Sequence, residues 1–174
     1  MAPSPPGHVV TRLRPARPDE AALLEGWRDD PQTEYETWGD PPPGIAISAN
    51  IPQPHGMGEL LITDGDDRPI GTVGWHQVLH GPNVGSIALD IGISLRPEHR
   101  GAGHGTRAQR MVAEYLFRTF PIHRVQASTD VANVTEQKAL ESAGFVREGT
   151  LRGAQWRQGS WHDLIMYARL RGDA

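Results

Sequence analysis

Between Ile87 and Leu95 the chain alternates without a break, with Ile87, Leu89, Ile91, Ile93 and Leu95 on one side and Ala88, Asp90, Gly92 and Ser94 on the other. A strict period of two over this length describes a half-buried β-strand. Arg96-Pro97 ends the run, and the chain continues through Glu98-His99-Arg100-Gly101-Ala102-Gly103-His104-Gly105. Beyond it Ala108, Met111, Val112, Tyr115 and Leu116 recur at helical spacing. A glycine-rich turn therefore joins a strand directly to an amphipathic helix.

The flanking segments fill in the class. Val9–Leu13 reads as a short strand, and Asp19 as the cap of a helix over Glu20–Arg28. Asp29 to Pro54 is proline-rich and keeps no steady period, so it is expected to be loop with short helical pieces. Gly58–Thr63 and Ile70–Leu79 flank Asp64-Gly65-Asp66-Asp67, which predicts an antiparallel hairpin. Pro121 stops the long helix, Arg124–Thr129 reads as a strand, and Asn133 caps a short helix that ends at Ser142 before Gly144. Phe145–Leu151 and Trp161–Leu170 are expected to pair around a loop at Gly153–Ser160. The class is α+β with a mixed sheet.

The 174 residues fit one domain over 1–174, with 1–8 as a flexible end, and 37% hydrophobic residues suffice for one core. A net charge of -4 offers no broad positive field, which argues against nucleic acid as the main partner. No apolar run approaches the roughly 20 residues of a membrane span, and Met1–Gly7 lacks the order of a signal peptide. A soluble, cytoplasmic protein with no membrane partner is expected. Zero cysteines exclude disulfides and a thiolate nucleophile, and the eight histidines show no ligand spacing, so no metal is expected.

A helix N-terminus offers unpaired N–H groups and partial positive charge, glycines admit an anion close to the backbone, and Arg100 adds a full charge. The turn suits a phosphate or pyrophosphate. No Lys-Ser or Lys-Thr follows the glycines, which argues against an ATP or GTP loop. Gly101-x-Gly103, with Asp130 ending the next strand, comes near a dinucleotide fingerprint, but Thr106 fills the third glycine position. The plain alternative is a tight turn with no ligand.

Two motifs in order carry a family likeness. Arg100-x-x-Gly103-x-Gly105 after its strand resembles the acetyl-CoA signature R/Q-x-x-G-x-G/A of the GNAT superfamily. Asn133, then Leu140-Glu141-Ser142-Ala143-Gly144-Phe145, resembles the Asn followed by Leu-Glu-Lys-x-Gly-Phe of that superfamily, as in the branch of the ribosomal-protein-alanine N-acetyltransferases. The likeness runs from about Leu13 to Leu170 and is specific between Asp90 and Phe145. It implies a three-layer α/β/α fold on a largely antiparallel seven-stranded sheet splayed at its centre, with acetyl-CoA or another acyl-CoA as co-substrate. By the resemblance, the backbone of Ile93 to Leu95 pairs with the pantetheine arm. The amides of Gly101, Gly103, Gly105 and Thr106 hold the pyrophosphate, with Arg100 and His104 beside it, and Asn133 meets the arm from the other side.

The implied reaction moves an acyl group to a primary amine of a small molecule, an antibiotic or a peptide N-terminus. Asp90 is the leading general base; a structural carboxylate and a charge that attracts the amine are the competing readings. Many relatives place a tyrosine where this chain has Leu140, so that acid is missing. Glu136, where the ribosomal-protein branch has a serine, is the candidate acid if burial raises its pKa, and otherwise a favourable first-turn charge. Glu34, Trp38 and Trp75 are candidates for the acceptor pocket, which the loops at 29–54 and 153–160 are expected to build. His76 and His162 are further candidates to reach it, the plain alternative being surface or packing. An acyl carrier protein as donor, a non-catalytic CoA sensor, a dinucleotide oxidoreductase and a homodimer stay open.

Overall fold

A computed structural model describes residues 9–29 and 57–173. The chain runs β1 (Arg12–Arg14), α1 (Ala21–Asp29), β2 (Gly58–Thr63), β3 (Pro69–Leu79), β4 (Ile87–Leu95), α2 (His104–Thr119), β5 (Arg124–Asp130), α3 (Val134–Ser142), β6 (Val146–Arg157) and β7 (Ser160–Leu170). The strands form one seven-stranded sheet in the order β1-β2-β3-β4-β5-β7-β6, as expected for the mixed α+β class. All neighbours are antiparallel except β4 and β5.

Alternation on the central strands decides what each face carries. Val73 and Trp75 on β3, Leu89 and Ile91 on β4 and Val125 on β5 are buried with Ala108, Val112 and Leu116 of α2 and Leu140 of α3. Two helices therefore close that face. On the alternate positions, Asp90 of β4 and Gln126 of β5 point away from this core and yet are buried as well.

The β2–β3 turn ties down the N-terminal strand. Asp64 Oδ1 accepts from the amides of Asp66 and Arg68, and Asp67 takes the left-handed conformation. From that turn Asp67 binds Arg14 at 2.9 Å and also pairs with Arg17, while Glu20 holds Arg14 at 2.7 Å. The strand at Val9–Leu13 is thus shorter and later than expected, because its pairing partners, Leu61 to Thr63, begin opposite Arg12.

A larger correction concerns 153–160. The expected loop is strand: β6 runs to Arg157, and β7 starts at Ser160 after a two-residue turn in which Gln158 and Gly159 both have positive φ. Such a turn matches the twist of the flanking strands, and its second position favours glycine. β6 lies at the sheet edge, with nearly all of its residues exposed, so its outward side chains carry no hydrophobic alternation to mark it.

Candidate active site

The sheet opens at β4 and β5. They pair only at Ala88, Asp90 and the residue between, opposite Arg124 to Gln126. Beyond that point β4 stays on β3 up to Leu95, paired with Gly71, while β5 stays on β7 up to Asp130, paired with Leu164. Between them β4 presents a strand edge with no strand partner, a template for an extended ligand. The register of β4 against β3 is continuous, so Gly92 makes no bulge there; it lies opposite Gly74.

At the open end of β4 stands the glycine turn. Gly101 and Gly103 have φ of 75° and 84°, the left-handed region that favours glycine, and Gly103 is the N-cap of α2 without any side-chain cap. The amides of His104, Gly105 and Thr106 consequently lack an intrahelical acceptor. Gly105 packs so that a Cβ would meet Leu95 Cδ1 at 3.5 Å, which brings the helix start up against the strand end. Arg100 Nε donates to the Leu95 carbonyl at 2.8 Å, fastening the turn to the same place, and thereby takes up one of the backbone groups expected to face the arm.

His104 departs from its expected place beside the phosphate. Its ring is buried and shares a 2.9 Å hydrogen bond with Thr11 Oγ1. Burial first, then the neighbouring His99 and Arg107, push its pKa down, so the neutral ring serves packing against the N-terminal segment rather than charge toward an anion. Trp75 is corrected as well. It lies 8% exposed in the core, against Gly58 and 5.8 Å from the Tyr115 ring, on the face opposite Asp90. The other two acceptor-pocket candidates, Glu34 and Trp38, fall outside the described residues.

Asn133 caps α3, accepting from the Glu136 amide at 3.3 Å. Glu136 itself is not a freely solvated first-turn charge. Its carboxylate accepts from Gln109 Nε2 of α2 at 2.5 Å, and burial raises its pKa to about 7. Leu140, at the position where many relatives have tyrosine, is fully buried in the core.

Asp90 sits where the strands part. It is 6% exposed, Oδ2 accepts from Gln126 Nε2 at 2.9 Å, and Oδ1 is buried without a hydrogen-bond partner among the described residues. Desolvation raises its pKa, opposed by the Gln126 bond and by the positive potential of His76, Arg124 and His80. A buried carboxylate oxygen with no donor is costly and therefore receptive to one. Sequence reading missed Gln126, although Arg124, Gln126 and Ser128 do alternate with Val125 and Ala127 on the predicted strand. On the same side of the sheet a cleft of about 530 Å³ is bounded by His80, Ala88, Arg124, Glu148 and Met166.

At the far end of β5 a second buried group fixes the last hairpin. Arg157 Nη2 donates to Asp130 Oδ2 at 2.6 Å, with His162 Nδ1 3.2 Å from the same oxygen. His162 is thereby engaged in the hairpin and not in a separate pocket. Trp156 and Trp161 stack edge-on across it at 5.3 Å. Among the described residues no group of His, Cys, Asp and Glu could hold a metal, and no helix is long and apolar enough to cross a membrane.

The site is thus a mixed sheet parted at its centre, with an unpaired strand edge and an uncapped helix start behind left-handed glycines at one lip. The family model described as Acetyltransferase (GNAT) domain matches residues 11–146, and the chain belongs to that family, as the two motifs implied. It is 35% identical over 113 residues to the probable N-acetyltransferase YjcK of Bacillus subtilis (strain 168), covering 65% of this chain and 61% of that protein. The chain thus spans about three fifths of that relative's length. Among solved structures it is similar to the ribosomal-protein-S5-alanine acetyltransferase of Vibrio fischeri, with 28% identity, a TM-score of 0.58 and coverage of 66% and 62% of the two chains. The spermidine N-acetyltransferase of Vibrio cholerae, crystallised with CoA and spermine, shares the fold at a TM-score of 0.72 and 18% identity, over 94% of this chain and 96% of that one.

Proposed function

We propose that the protein is an N-acyltransferase that moves an acetyl or related acyl group from acyl-CoA to a primary amine by direct attack in a ternary complex. One observation carries the reading: Asp90 lies buried at the point where β4 and β5 separate, with one oxygen that has no donor among the described residues. An amine is protonated near neutral pH and must lose that proton before its lone pair can attack the thioester carbon. Asp90 Oδ1 takes the proton, the new N–C bond forms, and the C–S bond breaks. The departing thiolate is then protonated. Glu136, with a pKa of about 7, holds a proton in a substantial fraction of molecules at neutral pH and is the donor proposed for that step.

The splayed backbone of Ile93 to Leu95 and the amides of Gly101, Gly103, Gly105 and Thr106 are the groups proposed to hold the acyl-CoA, with Asn133 across from them. The acceptor class is a small polyamine-like or other primary amine, or a peptide N-terminus. A structural neighbour solved with CoA and spermine, and one named as a ribosomal-protein-S5-alanine acetyltransferase, support amines of both sizes. A cytoplasmic setting agrees with this chemistry.

Calorimetric titration with acetyl-CoA, CoA and NAD, followed by thiol release over a panel of amines, tests the proposal. Micromolar CoA binding, no heat with NAD, and amine-dependent thiol release lost in Asp90→Asn are the expected results. CoA binding without turnover of any amine would indicate a sensor, and no CoA binding would leave a carrier-protein donor as the alternative.

A further inference from the structure

Asp90 is the end of a chain of hydrogen bonds that begins at the sheet edge. Glu148 on β6 holds both terminal nitrogens of Arg124, at 2.7 and 2.5 Å. Arg124 Nε then donates to Gln126 Oε1 at 2.9 Å, and His80 Nε2 reaches the same oxygen at 2.7 Å. Gln126 Nε2 in turn donates to Asp90 Oδ2 at 2.9 Å.

The direction of this chain follows from one group. An amide's oxygen and nitrogen exchange places on a flip, but a guanidinium only donates. The Gln126 atom facing Arg124 must therefore be oxygen, so the NH₂ faces Asp90, and His80 carries its proton on Nε2. Asp90 Oδ2 is then committed as an acceptor. A proton arriving at Asp90 settles on Oδ1, the oxygen without a partner.

We propose that Gln126 is a positioning residue which, locked by Arg124 and His80, binds one oxygen of Asp90 and leaves Oδ1 as the atom that takes the amine's proton. This rests on Asp90 acting as the base. The amide also keeps Asp90 ionised in a site that disfavours charge, because its bond is stronger to a carboxylate than to a carboxylic acid. The charged and titratable groups around Asp90 are His76 from β3, His80 just after β3, Arg124 from β5 and, through Arg124, Glu148 from β6. None but Gln126 is hydrogen-bonded to the carboxylate among the contacts described for it, so the charges act at a distance and the amide acts directly.

The test is a ¹³C-carboxyl NMR titration of the full-length protein labelled at aspartate, with the Asp90 signal assigned by its loss in Asp90→Asn. It needs no identified acceptor. Gln126→Leu keeps the volume and removes the donor; the Asp90 midpoint is expected to rise by about 1 pH unit or more. His80→Leu and Arg124→Met leave Gln126 in place but free its amide, and a smaller rise in the same direction is expected from each. An Asp90 midpoint unmoved in a folded Gln126→Leu overturns the proposal. If that variant does not fold, an unmoved midpoint in both His80→Leu and Arg124→Met overturns it equally. Once an amine substrate is known, the acidic limb of kcat/KM must move with the NMR midpoint. Failure of the base assignment shows separately, as Asp90→Asn turning over at the wild-type rate while the Gln126→Leu shift persists.

Discussion

Leu89 and Asp90 are neighbours on β4 and both are buried, yet opposite physics holds them. Leu89 faces α2 among aliphatic side chains and is stabilised by removal of apolar area from water. Asp90 faces the other way, onto a polar chain in which Glu148 holds Arg124, Arg124 and His80 both reach Gln126 Oε1, and Gln126 donates to Asp90. One strand thus has a face that holds the fold and a face that keeps a charge where water would otherwise solvate it. The second face costs stability, and it is the face proposed above to carry the chemistry.

That contrast breaks cleanly under substitution. Asp90→Asn is expected to lower amine-dependent thiol release by about 10² to 10⁴-fold. The same change should leave thermal stability at pH 8 at or above wild type, since it removes a charge whose raised pKa makes ionisation a cost. Leu89→Ala should do the reverse on the adjacent residue, costing about 2–5 kcal/mol in denaturant unfolding through the cavity it leaves. Equal effects of the two on both readouts would erase the distinction between the faces.

A buried charge that serves structure sharpens the comparison. Asp130 is held below the usual carboxylate range because the Ala132 amide and Arg157 outweigh its desolvation. Arg157→Met strands that charge and is expected to cost about 3–5 kcal/mol in urea unfolding. Double substitution with Asp130→Leu should recover much of the loss.

Glu136 gives the pH prediction. Its pKa is about 7 in the fold against 4.5 for the free side chain, so the native state binds the extra proton between those values. Stability from this group is therefore full below about pH 4.5 and is lost as pH rises through about 7. Glu136→Gln removes that slope, and melting curves of variant and wild type should diverge between those pH limits in the variant's favour as pH rises. The smallest effect is expected at the glycine turn: Gly103→Ala forces a left-handed alanine whose Cβ would stand 2.8 Å from the flexible Arg107 tip, costing about 1 kcal/mol in stability and weakening CoA heats in calorimetry.

Several parts of this site were legible before the fold. Ile87–Leu95 and its turn were readable because period two, a proline stop and a glycine-rich turn are local features of the chain. The second half of the edge strand β6, from Gly153 to Arg157, was not, since exposure on an outer strand removes the apolar alternation that marks strands elsewhere. Trp75 misled because an aromatic on a strand reads the same whether it lines a pocket or fills a core; α2 and Tyr115 decide it. His104 misled in a similar way, since nothing local reveals that Thr11, 93 residues earlier, waits for its ring.

The sequence by itself determined the class, the family, the strand that carries Asp90 and the turn that opens α2. Each depends on interactions between residues close in the chain or on a motif kept in order. Tertiary structure alone decided which oxygen of Asp90 is left open, because that follows from Gln126, 36 residues away, and from an arginine whose orientation is set by Glu148 on a strand beyond β7. Hydrogen-bond direction in a buried network is a property of the whole path, and only the order of strands in the sheet brings that path together.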